Sequence, residues 1–164
     1  MPYKVFISHS NDANDLTVVN QLKAELDNTG FVPIIAEEHI PVNSPTLLSE
    51  KIARLIDDAD VCLALITENS VGSAYVNQEI GYMIKSKKKT LILLVSKGIP
   101  SQKLGFLQGV EYIRIEEDLT KTIKNLLVWL EKIKNDKDLQ QSLKIFGILV
   151  LISISAYMLT RHKK

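Results

Sequence analysis

The residues that could do chemistry fall in two short segments. In the run Ser70-Val71-Gly72-Ser73-Ala74-Tyr75-Val76-Asn77-Gln78-Glu79 and the turn beyond it, Val76, Ile80 and Met83 keep the spacing of a helix core stripe. Tyr75, Glu79 and Tyr82 form the neighbouring stripe at i, i+4 and i+7. A carboxylate with one aromatic ring a turn above it and another a turn below is partly desolvated. Its pKa should rise and its field at a bound ligand should strengthen. The same spacing fits a solvated helix glutamate with two tyrosines packed at the rim. The other segment is Phe6-Ile7-Ser8-His9-Ser10, an apolar strand that ends in three polar residues able to hydrogen-bond a ligand. His9 fits a plain polar loop position as well.

The elements that must position these residues alternate along the chain. Tyr3 to Ser8 is rich in strand formers. Cap residues at 11–15 open a helix on Leu16, Val19, Leu22 and Leu26, and Gly30 stops it. Phe31 to Ala36 is a second strand, and residues 37–46 are a loop with two prolines. Leu47, Leu48, Ile52, Leu55 and Ile56 mark a second helix. Val61 to Ile66 is unbroken apolar sequence, as a central strand covered on both faces requires. A loop over 67–73, a helix from Tyr75 to Lys85 and a strand from Thr90 to Val95 follow. Beyond a loop through Pro100 and Gly105 come a weaker strand, Glu111 to Ile115, and a helix from Asp118 to Lys134. This alternation predicts an α/β fold, a doubly wound, flavodoxin-like parallel sheet. Ligands bind such sheets at the carboxyl ends of the strands, so the loops at 8–15, 37–46, 67–74 and 96–105 should share the working edge.

The 164 residues carry 20 basic and 19 acidic side chains, a net of +1, which gives no sign of a nucleic-acid partner. The single cysteine, Cys62, has no internal disulfide partner, and the three histidines show no metal-ligand spacing. The averages hide a break. From Ile145 to Thr160 sixteen residues carry no charge and twelve are apolar, on every side of the helix they would form. Such a helix is about 24 Å long. With Leu143 and Lys144 it nears the roughly 30 Å of a bilayer core, with Lys144 and Arg161 to Lys164 at the headgroups. The expectation is one folded domain over residues 1–134, a linker over 135–142, a single C-terminal transmembrane helix over 143–160 and a basic tail over 161–164. A buried C-terminal core helix is the alternative. Met1-Pro2-Tyr3-Lys4 leads straight into a strand-like run without a signal-peptide pattern, so the expectation is a body on the cytoplasmic side of the membrane. Before residue 136 there are 15 basic and 17 acidic side chains.

Phe6-Ile7-Ser8-His9-Ser10 resembles the opening strand of Toll/interleukin-1 receptor (TIR) domains, prokaryotic ones above all. Ser73-x-Tyr75-x-x-x-Glu79 is similar to that family's Ser-x-Trp-Cys-x-x-Glu helix start, with Tyr75 for the tryptophan and Val76 for the cysteine. The resemblance spans residues 3–134. It implies that Glu79 is the catalytic glutamate of a TIR domain that cleaves NAD⁺ to nicotinamide and ADP-ribose or a cyclic isomer. Ser8, His9, Ser10, Ser73 and Tyr75 would bind the substrate. No cofactor or metal is needed, because NAD⁺ is the substrate. The chemistry is within reach of one carboxylate, since the pyridinium leaves as a neutral base and needs no general acid, unlike an ordinary glycoside. The family also implies self-association, which often switches cleavage on, and a setting in prokaryotic defence or stress.

Other α/β readings lack their signatures. A receiver domain needs an acidic pair after the first strand, where Ser8-His9-Ser10 stands. No G-x-G-x-x-G and no P-loop occur. A nucleoside deoxyribosyltransferase remains an enzymatic rival. A non-catalytic TIR adaptor, working through the loop at 37–46, is the rival from another class.

Overall fold

In a computed structural model of the chain, residues 2–40, 48–86, 90–100, 104, 107, 110, 112–115 and 118–136 are described. Among the described residues the elements run, in order, β1 (Tyr3–Ser8), α1 (Ala13–Asn28), β2 (Phe31–Ile35), α2 (Ala36–His39), α3 (Leu48–Asp58), β3 (Val61–Ile66), α4 (Ala74–Lys85), β4 (Thr90–Val95) and β5 (Tyr112–Arg114). The chain divides into two compact units, Met1–Leu126 and Leu127–Lys164. In the first, residues 119–126 are helical; in the second, residues 127–136 are helical.

The five strands form one sheet in the order β2-β1-β3-β4-β5, every neighbouring pair parallel. This is the doubly wound order that the alternation predicts. All six residues of β3 are buried, so the strand is covered on both faces. Cys62, Ala64 and Ile66 share one face. Cys62 packs with Phe6, Ile52 and Ile56, and Ala64 and Ile66 pack with Val76 and Ile80, so α3 and α4 cover that side. The chain leaves β1 toward β2 and later crosses back to β3. The order therefore reverses between β1 and β3, the place where open α/β sheets hold their ligands.

Three expectations change in detail. The stripe of α1 is Asp15, Val19, Leu22 and Leu26, while Leu16 is 38% exposed. An aspartate replaces the leucine on the buried face because two hydroxyls satisfy it, as described below. The loop expected at 37–46 begins with the short helix α2, and residues 41–47 lie outside the described residues. Asn135 and Asp136, expected to open a linker, are helical, and no glycine or proline stands there to stop the helix. At the end of α1, Gly30 takes φ 78°, the left-handed region glycine enters without strain, and terminates the helix as expected.

The span expected over 143–160 lies outside the described residues, as do the linker beyond 136 and the tail at 161–164. Among the described residues no helix is long and apolar enough to cross a membrane.

Candidate active site

Glu79 reaches the carboxyl edge of the sheet from the first half of α4. Ser73 caps that helix, its hydroxyl accepting from the Val76 amide at 3.4 Å. Upstream, the turn over 67–70 is locked by Ser70, whose hydroxyl donates to the Leu65 carbonyl at 2.8 Å and accepts from the Thr67 amide at 2.7 Å. Glu79 shares the buried stripe of α4 with Val76, Ile80 and Met83 and is only 4% exposed. It does not stand at a rim. The reach of β1 brings Ser8 to it: the buried Ser8 hydroxyl donates a short hydrogen bond to Glu79 Oε2.

Burial pushes the Glu79 carboxyl up to about 7, from an ordinary 4.5. The hydrogen bond from Ser8 opposes the rise, the negative charge of Glu37 on α2 adds to it, and a hydrogen bond from Tyr75 opposes it. Burial likewise raises the Tyr75 hydroxyl, with the charges of Glu79 and Glu37 adding to the effect. The group is therefore poised to exchange a proton near neutrality. Its charged form is costly in the empty site and favourable beside a cation.

The candidate residues named from sequence separate into two sets. Ser8, Tyr75 and Glu79 are joined by hydrogen bonds. His9 is buried beside them, its Nδ1 on the Ser10 carbonyl at 2.8 Å and its Nε2 3.7 Å from Glu37 Oε2. Ser10 and Ser73 are held in hydrogen bonds of their own, away from the Glu79 carboxylate. Ser10 donates to Asp15 Oδ2, and Thr67 donates to the same oxygen at 2.9 Å. These two bonds tie the loop after β1 to the loop after β3 through a carboxylate that is 2% exposed.

Tyr82 does not flank Glu79 as a second ring. Its hydroxyl donates to Asp57 of α3 at 3.0 Å. Glu79 is desolvated by its place on the buried stripe of α4, with Ser8 and Tyr75 bonding the carboxylate. Sequence reasoning missed Glu37, Asp15 and Thr67. Asp15 carried a signal, since it falls at the i−4 position of Val19. Among the described residues no group of three or more His, Cys, Asp or Glu side chains could hold a metal.

A doubly wound parallel sheet with a buried carboxylate at its reversal point places that acid where open α/β sheets hold their ligands. Residues 5–127 match the family model of the TIR domain, so the chain belongs to the TIR-domain family. Among solved structures it is similar to the TIR domains of the activated Roq1 resistosome that recognises the pathogen effector XopQ. That match has 13% identity and a TM-score of 0.67, over 78% of this chain and 99% of that one. It is similar to the CMP N-glycosidase BcmB of Clostridium botulinum, with 18% identity and a TM-score of 0.56, over 76% and 98% of the two chains. A 2-deoxyribosyltransferase of Bacillus psychrosaccharolyticus gives 16% identity and a TM-score of 0.57, over 73% and 90%. At these identities the likeness is one of fold. No curated protein sequence matches the chain.

Proposed function

We propose that the protein is an NAD⁺ glycohydrolase that cleaves the bond between nicotinamide and ribose. The observation that carries this is the buried Glu79 carboxylate, bonded by Ser8 and Tyr75 at the β1/β3 reversal of the sheet. In the reaction the C1′–N bond breaks and its electron pair passes to the pyridinium nitrogen. Nicotinamide leaves neutral, and the positive charge moves to the ribose. Glu79 stabilises that charge and holds the ribose hydroxyls. Water then adds at C1′ and loses a proton, giving ADP-ribose. Capture by the adenine ring in place of water gives a cyclic isomer. One protein of similar fold is a CMP N-glycosidase, an enzyme for a related sugar–base cleavage.

In the same proposal the apolar run at 145–160 tethers the TIR domain to a membrane, facing the cytoplasm. Tethering raises local concentration and favours self-association of the TIR domains. The rival, a TIR module that acts only by assembly, does not need a charge on Glu79. The test is nicotinamide release from NAD⁺ by the full chain in vesicles, beside Glu79→Gln. Release by the wild type and loss of at least about a hundredfold in the variant are expected. Equal release by both removes Glu79 from the chemistry, and no release by the wild type favours the assembly module.

A further inference from the structure

Glu37 belongs to the turn of α2 that leaves β2, and Glu79 belongs to α4, which follows β3. In the sheet β1 lies between β2 and β3. The two acids therefore approach the end of β1 from opposite sides. Two consecutive residues of that end receive them. Ser8 donates to Glu79, and His9 turns its ring to Glu37, Nε2 to Oε2 at 3.7 Å.

The His9 tautomer follows from its other bond. The Ser10 carbonyl can only accept, so Nδ1 carries the proton. Nε2 is buried and has no hydrogen-bond partner, and 3.7 Å is beyond direct hydrogen-bond length. The histidine side chain is 2% exposed and the Glu37 side chain 41% exposed. The ring is a fixed wall, and the carboxylate against it keeps a path to solvent. On the next turn position, Glu38 pairs with Lys23 of α1 at 2.5 Å, which anchors α2 on the side away from this contact.

We infer that Glu37 is a second catalytic carboxylate, the base that takes the proton of the water attacking C1′, seated against the buried His9 ring. This rests on the glycohydrolase function proposed above. The cationic leaving group needs no acid, so a second carboxylate in the site is free for the other half of a two-carboxylate hydrolysis, activation of water. In the step, a lone pair of the water oxygen forms the bond to C1′ of the ribose cation. One water proton passes to a Glu37 oxygen, and the carboxyl then returns it to solvent. Glu79 stays beside the ribose throughout.

A pyridine base tests the assignment, because its nitrogen attacks C1′ without losing a proton. The full chain is incubated at pH 8 with NAD⁺ and 3-acetylpyridine, and the ratio of exchanged dinucleotide to ADP-ribose is measured. In Glu37→Gln this ratio should rise at least about tenfold, with exchange itself retained. Glu37→Asp, a milder change that reads the same ratio, should rise less. Asp27→Asn, an exposed change on α1 outside the site, should match the wild type. An unchanged ratio in Glu37→Gln overturns the inference while leaving Glu79 its role. So does a wild type that cleaves NAD⁺ but forms no ADP-ribose. A wild type that releases no nicotinamide overturns the proposed function itself, and the role of Glu37 with it.

Discussion

Glu79→Gln should stabilise the protein, and by an amount that depends on pH. In the unfolded chain the carboxyl ionises near 4.5, and in the folded chain near 7. The folded state thus holds the proton more tightly. Its contribution to stability is complete below the unfolded value and is lost as pH rises through the folded one. The shift of about 2.5 units corresponds to about 3 kcal/mol. Glutamine has nearly the same shape, and its carbonyl still accepts from Ser8 and Tyr75. It never ionises, so it escapes the loss. Near pH 4.5 the two proteins should unfold alike. By pH 8 the variant should be more stable by about 3 kcal/mol, roughly 10 °C in melting temperature for a chain of this size. Urea unfolding at pH 5, 6, 7 and 8 measures the gap directly. Every other titrating group is present in both proteins and cancels, apart from Glu37 and Tyr75, which feel the Glu79 charge. A gap that stays constant with pH, or a variant less stable at pH 8, refutes the desolvated carboxylate and the site built on it.

Other outcomes follow from the same contacts. If the ionised Glu79 is the active form, kcat/KM should rise with pH and level off above about 7; Ser8→Ala, which deletes a bond that lowers the carboxyl, should move that limb upward, and Glu37→Gln should move it downward. Tyr75→Phe should also shift the limb upward, whereas Tyr82→Phe should leave it in place, because the Tyr82 hydroxyl bonds Asp57 on another helix. Asp15→Ala strands the hydroxyls of Ser10 and Thr67 and should cost about 2–3 kcal/mol in urea unfolding, against little change for a surface aspartate such as Asp27.

What the sequence could show depended on the range of the contact. Val76, Ile80 and Met83 sit on one face because of helix periodicity, and the unbroken apolar run at 61–66 demanded a central strand. Both are local facts. Glu79 was placed one stripe too far out, because periodicity alone does not say how wide the buried face is, and Ser8, which receives the acid, lies 71 residues away. Tyr82 had the right spacing to flank Glu79, but an aspartate 25 residues back in the chain takes its hydroxyl. The burial of Asp15 needed Thr67, 52 residues on, and no period in α1 encodes that partner. Glu37 was hidden in what read as a loop with two prolines, and its importance comes only from the strand order that brings α2 beside β1.

Two buried carboxylates at one edge of the sheet make the case for chemistry by their contrast. Asp15 accepts from two hydroxyls on two loops, an arrangement that fastens β1 to β3 and has a full structural explanation. Glu79 is as deeply buried, yet the charge facing it is a second carboxylate, and among the described residues no lysine or arginine pairs with it. As a purely structural residue it would be poorly placed, since an apolar side chain or a glutamine would fill the same stripe of α4 without the ionisation cost. Under the proposed function the arrangement becomes favourable when positive charge arrives beside Glu79, as a pyridinium in the ground state and a ribose cation in the transition state. Under that proposal the stability given up at Glu79 is recovered in binding and bond cleavage.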